Sequence, residues 1–288
     1  MAEGLDLEDR WRLGRRMETS GGEVAYEVFG EGPAVVLVHG TPSRSYIWRN
    51  VVPALAERHR VYAYDLLGYG ESEKGEGQDV SMAFQARLLK ELVGVWGLDS
   101  PGIVGHDIGG GIVLGAHLVE GVQFDRIALL DCVTLSPWLS QANSSTWHIA
   151  EHRETYATMP ENLFEAVFAA YLEESGIHLG EKEFEAFLAQ WRGEEGQRAF
   201  VRQAAQLEER HTAEIEPRLD SIEVPVQVIW GEADTWLDPA QADRLHEVIL
   251  GSRLKKVKGA GHFVMEDAPE EVARELASFF FADGQTSF

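Results

Sequence analysis

Apolar positions follow two rhythms along this chain, and the change between them divides it. In the first half, short apolar runs alternate with stretches whose apolar residues recur at helical spacing. Ala34–Val38, Arg60–Tyr64, 102–104 and Ile127–Leu130 are apolar along their length rather than alternating, the pattern of parallel strands buried on both faces. Between them, 46–57, 81–96 and 109–119 carry the spacing of helices. Residues 23–29 alternate and lie between glycine-rich turns, which predicts an antiparallel strand ahead of the parallel set. From 134 to 220 no strand pattern occurs, and 141–159, 163–174, 182–191 and 197–209 instead predict helices rich in Glu, Ala and aromatics. The first rhythm then returns, with strands at 226–230 and Arg253–Val257 and helices at 239–249 and 269–280.

Repeated strand–helix units predict an α/β fold with a mostly parallel central sheet covered by helices. The predicted organisation is a core domain of residues 1–133 and 221–288 and an inserted helical cap of 134–220. That cap is expected over the carboxyl edge of the sheet, where such folds bind ligands.

Composition narrows the partners. The 288 residues hold 25 Lys and Arg against 48 Asp and Glu, a formal net charge of −23. A field of that sign repels nucleic acid and anionic membranes and disfavours anionic substrates. The single cysteine, Cys132, allows no internal disulfide. Residues 1–16 are charged and lack the apolar core of a signal peptide, and no run approaches the ~20 apolar residues of a membrane span. The expectation is a cytoplasmic protein, a monomer or homodimer, acting on a small molecule without metal or cofactor.

The sharpest chemical signal is Gly105-His106-Asp107-Ile108-Gly109-Gly110, directly after the strand at 102–104 and opening the next helix. Small residues on both sides permit a sharp strand-to-helix turn that lifts the central side chain clear of the sheet, the shape of a nucleophile elbow. That side chain is a carboxylate. A carboxylate attacks esters poorly but displaces a leaving group from an sp³ carbon, forming an ester with the enzyme. Hydrolysing the ester needs a base, and His262, in a loop before the last helix, follows in the chain order of the elbow fold. The acid orienting His262 is expected at Asp234, after the strand at 226–230, with Asp131 after Ile127–Leu130 as the alternative. Backbone N–H groups of Thr41, in His39-Gly40-Thr41-Pro42, and of Ile108 are the expected oxyanion donors.

Together these motifs, with Ser45-Tyr46-Ile47-Trp48-Arg49-Asn50 and Asp65–Ser72, resemble the α/β-hydrolase superfamily, specifically its aspartate-nucleophile branch of haloalkane and haloacetate dehalogenases and epoxide hydrolases. The resemblance implies hydrolysis of a carbon–halogen bond through an aspartyl ester, with epoxide hydrolysis as the alternative. It also implies halide donors that the chain lacks. Ile108 stands where dehalogenases carry Trp or Arg, and Thr41 stands where they carry Asn or Glu. The resemblance points instead to Trp147 and His148, similar to a halide-binding Trp/His pair, with Trp138 and Trp191 as further indoles. Tyr156 and Tyr171 are the cap phenols available to an epoxide hydrolase, and His39 is placed beside the substrate. More remote readings are a cofactor-free oxygenase, since some luciferases resemble dehalogenases, and a small-molecule receptor on the same fold.

Overall fold

The computed structural model describes residues 11–138, 145–177 and 179–281. Most of residues 1–16 and the start of the helix expected over 141–159 therefore lie outside the described residues. Eight strands form one sheet: β1 (Arg15–Thr19), β2 (Gly22–Phe29), β3 (Ala34–Val38), β4 (Arg60–Tyr64), β5 (Gly102–His106), β6 (Ile127–Leu130), β7 (Val226–Gly231) and β8 (Arg253–Val257). Their spatial order is β1-β2-β4-β3-β5-β6-β7-β8. β2 pairs antiparallel with β1 on one side and β4 on the other, and every other neighbouring pair is parallel. This is the expected α/β architecture.

Strand β1 escaped the pattern reading because it pairs through its backbone at the sheet edge while its side chains, RRMET, face mostly solvent. The helix expected over 46–57 is broken into a 3₁₀ turn, Ser45–Trp48, and a short α1, Val52–Ala56. Pro53 near the start of α1 lacks the N–H needed to continue a helix from the preceding turn. The helices expected over 81–96 and 109–119 form where the spacing put them, whereas the one expected over 141–159 divides at His152 and the one expected over 197–209 spans Gly193–Ala205. α2 (Met82–Val95) starts at Ser81, whose hydroxyl accepts the Phe84 N–H. α3 (Ile108–Leu118) follows β5 with one residue between them.

Between β6 and β7 the described residues form no strand. They form α4 (Ser145–Glu151), α5 (Arg153–Ala157), α6 (Glu161–Glu173), α7 (Glu181–Leu188) and α8 (Gly193–Ala205), with 3₁₀ turns between and after. Phe164, Phe168, Phe187 and Phe200 are buried among these helices. After β7 come α9 (Ala240–Val248), α10 (Val264–Asp267) and α11 (Pro269–Phe281). No helix among the described residues is long and apolar enough to cross a membrane.

The chain runs from β3 outwards to β4 and then returns to β5 on the other side of β3. Ligand sites of open α/β sheets form at such a reversal, beyond the carboxyl ends of the strands. The β3–β5 register sets Val38 opposite Gly105, so the loops carrying Thr41 and Asp107 emerge side by side.

Candidate active site

Asp107 sits in the turn between β5 and α3 with φ 54° and ψ −126°, a conformation that L-residues rarely adopt. The turn is tight enough to exclude side chains around it. A Cβ on Gly109 would lie 2.5 Å from the carbonyl oxygens of Val38 and His39, and one on Gly40 would lie 2.3 Å from Asp107 Oδ1. The sequence pattern of small residues is thus a consequence of β3, β5 and α3 converging at one point.

The Asp107 side chain is 6 % exposed, and its two oxygens have separate surroundings. The Thr41 backbone N–H donates to Oδ1 at 2.6 Å. Oδ2 lies 3.4 Å from His262 Nε2, within ion-pair range and at the long edge of a hydrogen bond. His262 Nδ1 in turn lies 3.0 Å from Asp234 Oδ2, and the backbone N–H groups of Trp236 and Leu237 donate to Asp234 Oδ1 at 2.9 and 3.0 Å. Burial opposes charge on His262, but Asp234 and Asp107 on its two sides outweigh burial and hold the imidazole well above the ordinary histidine range. Geometry alone therefore assembles a carboxylate, an imidazole and a second carboxylate in one line.

Asp131 does not take the orienting place. Its Oδ1 accepts the Gly231 N–H at 2.7 Å, while burial and the nearby charge of Asp234 push its carboxyl well above the usual range. His262 has Asp234 as its Nδ1 partner instead.

His39 is also corrected. One ring nitrogen accepts the Leu66 N–H at 2.9 Å and the other donates to the Gly40 carbonyl at 3.0 Å. Both are spent on pinning the loops after β3 and β4, so the ring has nothing left to offer a substrate. His106 plays a similar part: burial drives its ring down to about 3, and the neutral ring donates through Nε2 to the His262 carbonyl.

The helical segment departs furthest from expectation. Trp147 is 37 % exposed and lines an outer groove with His152, Arg153, Leu207 and Arg210. His148 and Tyr156 bond each other at 2.7 Å on the exposed side. None of the three is among the described contacts of Asp107. The Trp138 indole donates to Thr212 Oγ1 and that of Trp191 to the Pro42 carbonyl, so both N–H groups are already engaged.

Tyr171 does reach the wall of the site. It is buried, bonds Thr146 at 2.9 Å, and packs its ring on Trp236, which in turn packs on His262. Three residues given no role by the sequence reading complete the wall: Tyr69, Trp236 and Gln203. Tyr69 Oη and Thr41 Oγ1 both donate to Gln203 Oε1, at 3.1 and 2.6 Å. Burial pushes the Tyr69 and Tyr171 phenols well above the ordinary tyrosine range, and the charge of Asp107 adds to this. The signal for Gln203 in the sequence was a polar residue amid Ala199, Phe200, Val201 and Ala204.

Comparison with known proteins follows the same outline. Residues 35–275 match the alpha/beta hydrolase family. An alpha/beta hydrolase fold protein from Burkholderia ambifaria superposes with a TM-score of 0.88 at 36% identity, over 92% of this chain and 97% of that one. Haloalkane dehalogenase 2 of Mycobacterium tuberculosis is 29% identical over 280 residues, 95% of each chain. A soluble epoxide hydrolase of Corynebacterium sp. is 39% identical over 127 residues, 44% of this chain and 43% of its own length.

Proposed function

The chain belongs to the alpha/beta hydrolase family, and from that premise we propose that it hydrolyses a neutral organic substrate through a covalent ester on Asp107, most simply by cleaving a carbon–halogen bond. The observation that carries this reading is the line from Asp107 Oδ2 to His262 at 3.4 Å and from His262 to Asp234 at 3.0 Å, with the Thr41 N–H on Asp107 Oδ1.

In this reading Oδ2, free of backbone donors, attacks the sp³ carbon. The carbon–halogen bond breaks with its electron pair and halide departs, leaving an alkyl ester on Asp107. Esterification cancels the charge of Asp107. One of the two carboxylates that hold the His262 ring protonated is thereby lost; the ring sheds its proton to solvent, and the neutral imidazole can then take a proton from water. The hydroxide so formed adds to the Asp107 carbonyl carbon. The resulting oxyanion develops on Oδ1, where the Thr41 N–H already points and the Ile108 N–H at the start of α3 is the second donor. Collapse breaks the bond between the Asp107 carbonyl carbon and the alkyl-bearing oxygen, which takes the proton of the re-formed carboxyl group and departs as the alcohol, leaving the carboxylate and a protonated His262. The helical segment 134–220 serves as the cap that shields this sequence from bulk water, and Asp234 keeps the ring in the required orientation.

Epoxide hydrolysis is the second reading, favoured by the buried phenols of Tyr69 and Tyr171 beside the nucleophile. A departing alkoxide needs a proton, which a phenol can give. Both hydroxyls, however, already bond neighbours. A pH-indicator assay separates the two: haloalkanes liberate acid on hydrolysis and epoxides do not. The covalent step is tested with His262→Gln protein and a 1-bromoalkane, where intact-mass analysis is expected to show the added alkyl group. Asp107→Ala is expected to abolish turnover. Undiminished turnover by Asp107→Ala would refute the scheme.

A further inference from the structure

Gln203 reaches the site from α8 and is 2 % exposed. Its Oε1 accepts two hydroxyl protons, from Thr41 Oγ1 at 2.6 Å and Tyr69 Oη at 3.1 Å. Those two bonds use the full capacity of an amide oxygen. The amide nitrogen, Nε2, is buried and has no hydrogen-bond partner. Two N–H bonds are therefore unspent in a buried place, where a water, an ion or a ligand group ordinarily takes them up. Thr41, which fixes the amide through its hydroxyl, holds Asp107 Oδ1 through its backbone N–H. One residue thus places the idle donor and the attacking carboxylate relative to each other.

The chemistry of the donor narrows its ligand. An amide N–H donates without giving up its proton in water, so it suits a group that departs as a stable anion. Halide is such a group; an alkoxide is not. Ile108 has no side-chain donor, and the Trp138 and Trp191 indoles are engaged elsewhere. We infer that the Gln203 amide is the side-chain donor that receives the departing halide. This rests on the dehalogenation reading of the same site and makes Gln203 a catalytic residue within it.

The test uses 1-iodo-, 1-bromo- and 1-chlorobutane with wild type, Gln203→Leu and Gln203→Glu. The glutamate variant retains an oxygen for Thr41 and Tyr69 but has no N–H, and thermal unfolding establishes that each variant is folded. A lost donor at a developing anion costs about 10²–10³ in rate. That loss is expected in full with chloride, the poorest leaving group, and least with iodide. A merely structural role would slow all three halides by the same factor, and that result would overturn the inference. Separately, sodium bromide titrated into resting wild-type protein at fixed ionic strength is expected to bind saturably, and about tenfold or more weakly to Gln203→Leu. If wild type binds no bromide while His262→Gln still accumulates the alkyl ester, the Gln203 assignment fails and the aspartyl-ester reading stands. If no halide yields an ester, that reading fails and the assignment with it.

Discussion

Asp107 holds its side chain where two differently prepared surroundings meet it, a backbone donor on one oxygen and an imidazole on the other. The strained φ of 54° is what turns it out of the sheet, and the surrounding glycines are what allow the strain to persist. His262 carries the pH consequence. Its folded-state pKa is raised above the unfolded value near ~6.5. A raised value means that its stabilising contribution is fully present below that unfolded pKa and is lost as pH rises through the folded one. Calorimetry across the alkaline range is expected to show a steeper fall in Tm for wild type than for His262→Gln. Parallel curves would mean that the ring is not held charged between its two carboxylates.

At the scale of elements, the loops after β3 and β4 are tied both to the helical segment and to the loop that bears His262. Trp191 and Gln190 donate to the Pro42 carbonyl at 2.9 and 3.0 Å, Gln190 Oε1 accepts the Gly70 N–H at 2.6 Å, and Arg44 donates to the Ala186 carbonyl at 3.1 Å. On the other side Arg49, after the first 3₁₀ turn, grips Glu266 of α10 through two hydrogen bonds of 2.5 and 2.8 Å. Both side chains are nearly inaccessible, at 2 % and 4 %. Removing one partner of such a pair leaves a buried unpaired charge, at a cost of about 3–5 kcal/mol, whereas replacing both with apolar groups is often neutral. Arg49→Met is therefore expected to lower unfolding stability by that amount in urea titrations. The double variant with Glu266→Met is expected to recover most of the loss. A double variant as weak as the single one would mean that packing, not charge, dominates there.

The molecule as a whole carries 48 acidic against 25 basic side chains, a net −23. Such a field slows the approach of anions and leaves neutral substrates untouched, and salt screens it over about 10 Å at 0.1 M. If the proposed chemistry holds, kcat/KM for a neutral bromoalkane is expected to change little with ionic strength, and that for bromoacetate to rise as the repulsion is screened. A fall for bromoacetate with added salt would reveal a cationic pocket stronger than the overall field.

What the linear chain could disclose were features written in neighbouring residues. The central parallel strands show as largely apolar runs, and the elbow shows as small residues packed around Asp107, because backbone sterics act within a few positions. His262 was legible through its place in the chain order after Asp107. Folding alone decided the rest, because contacts between remote segments depend on where each side chain finally points. Asp131 and Asp234 are both acids after strands, yet only Asp234 meets the imidazole. Trp147 and Tyr156 look like site residues in sequence, but Trp147 lines an outer groove and the Tyr156 hydroxyl bonds His148. Gln203 is 162 positions from Thr41. Its bare amide becomes meaningful only once α8 lies across the loop after β3, since no local pattern specifies which buried donors will be left without partners.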